Sequence, residues 1–144
     1  MSFYAATKKA TENMAHSYSH LFDLPITMFR FFTVYGPWGR PDMAFFKFID
    51  LAEQNKNIEV YNYGKMERDF TYIDDVIEGL IRLIDKIPDK NYNLDKENIL
   101  PSSSWSPYKI FNMGNSNKVL LSTYIEVLEK HLSLKAVKKF HPVQ

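Results

Sequence analysis

The chain has 144 residues, of which 18 are Lys or Arg and 17 are Asp or Glu, so its formal net charge at neutral pH is +1. This length suits one domain with a hydrophobic core, and the balanced charge excludes a broad basic field for nucleic acid or an anionic membrane. The absence of cysteine excludes disulfides, thiolate chemistry and cysteine-based zinc sites.

No segment of the sequence reaches the roughly 20 apolar residues that a membrane-spanning helix needs. The first residues also lack the charged-then-apolar pattern of a signal peptide. We therefore predict a soluble, cytoplasmic protein without a membrane partner.

The first part of the chain predicts a helix, a strand and a second helix. Residues 4–21 contain no Gly or Pro and are rich in Ala, Lys, Glu and Met, which favour a helix that stops before Pro25. Residues 26–34 are nearly all apolar, β-branched or aromatic, as expected of a strand covered on both faces in a parallel sheet. A turn dense in Gly and Pro follows at residues 35–41, and Asp42 then provides the N-cap of the second helix.

The second part of the chain continues this alternation. Short strands are predicted at residues 58–61 and 70–73, and Asp74 caps a third helix whose apolar residues recur every three or four positions. Residues 89–107 are polar without periodicity and predict an exposed loop. A strand, a Gly-Asn turn and a last helix then follow at residues 108–113, 114–115 and 121–132.

The alternation of helices and strands predicts an α/β fold with a partial doubly wound sheet. Such sheets bind ligands just beyond the carboxyl ends of their strands, which directs attention to the residues after Phe32, Tyr61 and Met113. The five glycines nowhere form the G-x-G-x-x-G turn that opens a doubly wound sheet. We therefore expect the N-terminal strands of the sheet to be missing.

Tyr4 and Lys8 are candidate catalytic residues because they lie four positions apart on the predicted first helix. This spacing places them about 40 degrees apart around the helix axis, so both side chains can reach one reaction centre. A nearby ammonium favours the ionised form of a phenol, which can then remove a proton from an alcohol. The alternative is a pair of ordinary surface side chains.

Two further groups of charged or titratable residues receive no functional role. His16 and His20 also lie four positions apart, but no third ligand is apparent, so we predict no metal site and interpret both as surface histidines. The basic cluster of Lys135, Lys138 and Lys139 is interpreted as a solvated face.

Four motifs occur in an informative order. Y-A-A-T-K-K at residues 4–9 is weak by itself, whereas R-F-F-T-V-Y-G-P-W-G-R-P-D-M-A at residues 30–44 is the sharpest signal. Y-G-K-M-E-R-D-F-T-Y-I-D-D and Y-K-I-F-N-M-G-N follow at residues 63–75 and 108–115. Together they resemble the extended short-chain dehydrogenase/reductases of the NAD-dependent epimerase/dehydratase family, and the second motif looks like its UDP-glucuronate 4-epimerase branch. The resemblance covers essentially the whole chain.

The resemblance implies a fragment of a Rossmann-like sheet plus part of the small substrate-binding domain, with NAD as the cofactor. Tyr4 would be the general base that removes the proton from the sugar O4 while C4 delivers hydride to NAD. Lys8 would be its electrostatic partner and a ribose ligand, and Phe32 and the backbone around Val34 would line the nicotinamide. The alternative for Phe32 is core packing.

The resemblance also implies a UDP-sugar substrate with an acidic sugar. Thr33 would face the sugar, and Arg40 would hold the carboxylate of a uronate, because a guanidinium offers paired N–H donors. The alternative for Arg40 is an exposed turn arginine.

The nucleotide would be held by three other residues. Arg68 would bind the diphosphate and Tyr61 would meet the uracil, with Met43 as a weaker contact to the same nucleotide. The alternatives are an ion pair with Asp69 or Asp75 for Arg68, and a half-buried strand tyrosine for Tyr61.

Residues 1–144 are thus interpreted as a segment of an NAD-dependent UDP-glucuronate 4-epimerase, which interconverts UDP-glucuronate and UDP-galacturonate through a 4-keto intermediate. Surface polysaccharide synthesis is the family association. Members carry an N-terminal dinucleotide-binding unit that these residues lack, so we expect the chain alone to be inactive, and we expect a homodimer through the helix at residues 4–21. The alternatives are a non-catalytic uridine-nucleotide-binding remnant and a segment of a UDP-glucose 4-epimerase or a sugar-nucleotide 4,6-dehydratase.

Overall fold

The computed structural model describes residues 2–95, 97, 100–102 and 104–143. Helices alternate with strands along these residues, and three of the four strand pairings are parallel. The α/β class predicted from the sequence is therefore confirmed. The elements are, in chain order, α1 (Phe3–Phe22), β1 (Ile26–Phe31), β2 (Thr33–Tyr35), α2 (Ala44–Glu53), β3 (Asn57–Val60), a 3-10 turn (Tyr61–Gly64), β4 (Glu67–Tyr72), α3 (Ile73–Ile84), β5 (Tyr108–Met113), β6 (Lys118–Leu120), α4 (Leu121–Leu132) and β7 (Val137–Phe140).

The chain divides into two compact units, each built from two segments. The first unit contains the described residues of Met1–Phe31 and Asp74–Met113, and the second those of Phe32–Ile73 and Gly114–Gln144. The length alone suits one domain, and the described residues of this chain form two compact units. The strand predicted at residues 26–34 is interrupted at Phe32, so that β1 joins a sheet of the first unit and β2 a sheet of the second.

In the first unit, α1 extends the predicted helix by one residue at each end. The Ser2 hydroxyl caps it by accepting a hydrogen bond from the Ala5 amide at 3.2 Å, and Asp23 ends it in a left-handed conformation. The strand β1 pairs in parallel with β5 along six residues of each. The residues of β1 are only partly buried, which corrects the prediction that both faces of this strand are covered.

An ion pair joins α1 to β1 in the first unit. The Arg30 guanidinium donates two hydrogen bonds to the buried Glu12 carboxylate, at 2.5 and 2.7 Å. Lys9 donates a third at 2.8 Å, and the Tyr108 hydroxyl of β5 binds the Glu12 carbonyl oxygen at 3.0 Å. These contacts fix the rotation of α1 on the two-stranded sheet.

The segment 89–107 contains no helix or strand among its described residues, as predicted, although residues 96, 98, 99 and 103 lie outside the description. Its far end is not exposed, because Ser104 and Ser106 are buried. His16 Nε2 lies 2.7 Å from the Ser104 hydroxyl, and His20 Nδ1 lies 3.4 Å from that of Ser106. The two histidines therefore anchor this segment, which corrects their interpretation as ordinary surface residues.

The third helix begins at Ile73, before the predicted cap residue Asp74. Asp74 is not the cap of α3 but lies in its first turn. A carboxylate at this position still interacts favourably with the helix dipole. Of the predicted apolar face, Val76 is buried, whereas Ile77, Ile81 and Ile84 are exposed.

The second unit contains a three-stranded sheet of order β2-β4-β6 and a parallel pair of β3 and β7. Its core consists of Ile58, Val60 and Ile125, with partly buried side chains of α2 and α4 packed around them. The strand predicted at residues 58–61 ends at Val60, because Tyr61 begins the 3-10 turn.

The sequence did not predict β6 or β7. Lys138 and Lys139 lie on β7, where their ammonium groups are 2.9 Å from Glu129 and 3.6 Å from Glu59. Lys135 and Lys139 are exposed, as predicted, whereas Lys138 is partly buried in its pair with Glu129.

Candidate active site

Tyr4 and Lys8 lie on the same side of α1, within the first unit. The Lys8 ammonium is 5.5 Å from the centre of the Tyr4 ring, and both side chains are exposed. The predicted proximity of a phenol and an ammonium is therefore present, and both groups are open to a ligand.

A pocket of about 400 Å³ lies within the second unit, at the carboxyl end of β2. Aromatic and aliphatic side chains form most of its wall, and two arginines supply positive charge. Six of the nine residues singled out in the sequence line this pocket, namely Thr33, Val34, Arg40, Met43, Tyr61 and Arg68.

The turn after β2 is shaped by two close approaches. Gly36 has a φ of 139°, and a Cβ there would lie 2.5 Å from the Ile73 side chain. A Cβ at Gly39 would lie 2.7 Å from the Phe46 ring. The two glycines allow the turn to pack tightly against its neighbours, and this turn leads to Arg40 on the pocket wall.

Arg40 already binds a carboxylate, that of Asp42. Its Nε and Nη2 donate to the two carboxylate oxygens at 3.0 and 3.1 Å, and both side chains are largely exposed. The prediction that Asp42 caps the second helix is wrong: the N-cap position belongs to Met43, which makes no side-chain capping bond. The fork geometry of the guanidinium is what captures Asp42.

Arg68 lies on β4 and lines both the pocket and a more open hollow of about 530 Å³ in the same unit. Thr33 also lines both, whereas Phe32 lines only the open hollow and is half exposed. Core packing therefore does not account for Phe32. Arg68 Nη1 donates to the Glu67 carbonyl oxygen at 3.0 Å.

The Asp69 carboxylate is engaged elsewhere than with Arg68. It accepts hydrogen bonds from the backbone amides of Asn115 and Ser116 at 2.9 and 2.8 Å. Asp69 thus fixes the turn that follows β5, and the ion pair with Arg68 considered from the sequence is not among the contacts of the described residues.

The pocket residues that were missed in the sequence include Glu59, Phe70 and Tyr124. The rings of Phe70 and Tyr124 are stacked, with centroids 4.9 Å apart. Burial raises the pKa of Tyr124, whose hydroxyl has no hydrogen-bond partner among the described residues. The signal for Glu59 was its position two residues before Tyr61 in the strand predicted at residues 58–61, because alternate side chains of a strand share a face.

The described ranges contain neither a candidate metal site nor a membrane-spanning helix. Within them, no three His, Cys, Asp or Glu residues form a group that could hold a metal ion. No helix of those ranges is long and apolar enough to cross a membrane.

Comparison with known proteins adds an independent line of evidence. An uncharacterised 37.6 kDa protein of Escherichia coli O111:H- is 56% identical over 144 residues, which are 100% of this chain and 43% of that protein. A probable UDP-glucuronate 4-epimerase of Rhizobium meliloti is 46% identical over 145 residues, covering 100% of this chain and 42% of that protein. The chain therefore spans less than half the length of these relatives.

Solved structures agree with the fold. The crystal structure of the Bacillus cereus UDP-glucuronic acid 4-epimerase in complex with UDP-glucuronic acid and NAD matches with a TM-score of 0.77 and 34% identity, over 97% of this chain and 40% of that one. The predicted fragment of a Rossmann-like fold is thereby confirmed. The sequence profile of the NAD dependent epimerase/dehydratase family matches residues 1–95, and the chain belongs to that family.

Proposed function

We propose that this chain is a segment of an NAD-dependent UDP-glucuronate 4-epimerase and supplies its proton-transfer pair and its nucleotide-sugar pocket. The observation that carries the proposal is the pocket of the second unit. Its lining includes Thr33, Arg40 and Arg68, together with Tyr61. A pocket with an apolar lining and two arginines suits a nucleotide sugar whose diphosphate and sugar carboxylate are both anionic. The solved relative that binds UDP-glucuronic acid and NAD supports this assignment.

Tyr4 and Lys8 would perform the proton transfer. The phenolate of Tyr4 takes the proton from the O4 hydroxyl of the sugar, and the Lys8 ammonium stabilises the negative charge before that step. The exposure of Tyr4 and Lys8 and the distance between them fit this role, and they also fit contact with a ribose. The exposed Phe32 ring would contact the nicotinamide together with the backbone around Val34. When bound, NAD supplies the hydride transfer of the reaction.

The diphosphate would lie between Arg68 and the start of α2. A guanidinium binds phosphate oxygens through paired donors, and Arg68 borders both the pocket and the open hollow. The pocket is also lined by Met43, the N-cap residue of α2, and by Ala44, the first residue of that helix. No side chain caps this helix end. Its free amides favour an anion.

A second candidate is nucleotide binding without chemistry. The pocket lies entirely within the second unit, and the 144 residues contain no G-x-G-x-x-G turn for a dinucleotide. We propose that the chain alone binds UDP-sugars but does not turn them over. The substrate of a UDP-glucose 4-epimerase or a dehydratase has no sugar carboxylate, so Arg40 would have no such group to bind.

Calorimetric titration of the chain with UDP-glucuronate tests the proposal. We expect saturable binding, weakened at least about tenfold by Arg68→Gln, because hydrogen bonds to charged groups contribute roughly 1.5–3 kcal/mol. Arg82→Gln is the matched control, since Arg82 pairs with Glu78 on α3, outside the pocket. Absence of binding by the unmodified chain would contradict the proposal.

Three broader assignments rest on the family. We propose a homodimer through α1, a cytoplasmic location and a role in polysaccharide synthesis. The exposed apolar side chains of α1 support the first.

A further inference from the structure

An irregular turn carries Tyr61 on the wall of the pocket. The next two residues, Asn62 and Tyr63, have φ values of 49° and 50°, a left-handed conformation that residues other than glycine rarely adopt. The backbone that follows β7 holds this turn. The amides of Asn62 and Tyr63 donate to the carbonyl oxygens of Pro142 and His141, at 3.3 and 3.1 Å.

The His141 side chain contacts the same turn and does not line the pocket. Its ring stacks on the Tyr61 ring, with centroids 5.2 Å apart and an interplanar angle of 28°. Its Nε2 hydrogen-bonds the Glu59 carboxylate, and its backbone amide donates to the Val60 carbonyl oxygen at 2.9 Å. His141 is therefore fixed by three contacts to β3 and the turn.

Both residues that the His141 side chain touches line the pocket, whereas His141 itself does not. Stacking occupies one face of the Tyr61 ring, so the ring offers its other face and its edge to a ligand. The second carboxylate oxygen of Glu59 lies 3.6 Å from the Lys139 ammonium. His141 thus governs the orientation of one aromatic and one acidic group of the wall.

We propose that His141 is a positioning residue for the nucleobase: it holds the Tyr61 ring and the Glu59 carboxylate in the orientation that receives the base of a uridine nucleotide. The inference rests on the proposed function, because it presumes that the pocket binds a nucleotide. It adds a residue outside the pocket to those that determine nucleotide affinity.

The test is calorimetric titration of the 144-residue chain with UDP, together with thermal unfolding of each variant. His141→Ala removes both the ring and the hydrogen bond, His141→Phe keeps only the stacking ring, and His141→Gln keeps only a hydrogen-bond donor. Lys139→Ala is the matched control, because it removes the second contact of the Glu59 carboxylate from the same strand end without touching Tyr61.

We expect His141→Ala to weaken UDP binding about tenfold, in line with the contribution of one base-to-ring contact. His141→Phe should recover most of this loss, His141→Gln should recover little, and Lys139→Ala should bind as the unmodified chain does. A general loss of folding would instead weaken binding only as far as it lowers the folded fraction at the titration temperature, which the thermal unfolding curves measure, irrespective of the ring.

Two results would overturn the proposal while leaving the proposed function intact. One is unchanged UDP affinity in His141→Ala, and the other is equal weakening in His141→Phe and His141→Ala. No binding of UDP by the unmodified chain would instead remove the proposed function, and this inference with it.

Discussion

Glu12 is a buried carboxylate that the fold keeps ionised. The hydrogen bonds from Arg30 lower its pKa from 4.5 to about 2, against the opposing effect of burial and with help from Lys9. A carboxyl whose pKa is lower in the folded state stabilises the fold above its unfolded pKa, and this contribution disappears as protons bind. Part of the stability of this chain is therefore expected to be lost between pH 4.5 and about 2.

Replacing Glu12 with Gln should remove that pH dependence. We expect Glu12→Gln to lower the free energy of unfolding at neutral pH by about 2 kcal/mol, a value reduced for solvent screening of the partly exposed Arg30. The difference from the unmodified chain should shrink as the pH falls toward 2, which urea unfolding at several pH values measures. Glu78→Gln, in an exposed pair with Arg82, is the control and should change little. A constant difference at all pH values would contradict this account.

Asp42 competes for the guanidinium that we assign to the sugar carboxylate. Because Asp42 occupies the paired Nε and Nη2 donors of Arg40, Asp42→Asn should raise the affinity for UDP-glucuronate relative to UDP-glucose by about threefold, within the range of an exposed ion pair. Arg40→Gln should bring the two affinities together. Calorimetry with both sugars measures the ratio, and an unchanged ratio in Arg40→Gln would remove Arg40 from the specificity assignment.

At the site, the sequence identified the residues whose side-chain chemistry stands out within a recognisable segment. Arg40 and Arg68 were identified because each stands in a motif that resembles the epimerase/dehydratase family, and both line the pocket. Glu59 and Tyr124 were missed because an alternating strand or a helical repeat shows which side chains share a face, but not which cavity that face borders. The Arg40 pairing with Asp42 was missed because both capping and ion pairing suit an Asp at that position.

At the scale of elements, helices and strands with strong local signals were predicted well. The boundaries of β5 and α4 are those expected, since flanking turns and periodicity agree there. The break at Phe32 could not be predicted, because an uninterrupted apolar run looks the same whether it enters one sheet or two. The short strands β6 and β7 depend on pairing with β4 and β3. Local composition does not show which distant segment a strand will pair with.

The first helix carries an apolar stripe that predicts self-association. Met14, Tyr18, Leu21 and Phe22 recur at helical spacing, and each is more than half exposed. Burying such a stripe against a second copy would remove apolar area from water. We expect light scattering to give a dimer mass, and Leu21→Lys to shift the chain toward monomer. Val143→Lys, an exposed apolar position beyond β7, is the control. A monomer mass for the unmodified chain would count against a dimer through α1.

For the whole molecule, we expect binding without catalysis. Incubation of the 144-residue chain with NAD and UDP-glucuronate should yield no UDP-galacturonate by chromatography, because no G-x-G-x-x-G turn is present to hold the dinucleotide pyrophosphate. The same sample should still bind UDP, which confirms that the pocket is folded. Measurable epimerisation would overturn this expectation.

The division into two units also limits how such a chain can be altered by exchange of segments. The polypeptide passes between the units three times, after residues 31, 73 and 113. A single crossover with a related gene between residues 32 and 112 therefore replaces parts of both units together. Transplanting the nucleotide pocket alone would require three coordinated junctions, so new substrate preferences in chains of this topology are more readily reached by point substitutions than by recombination.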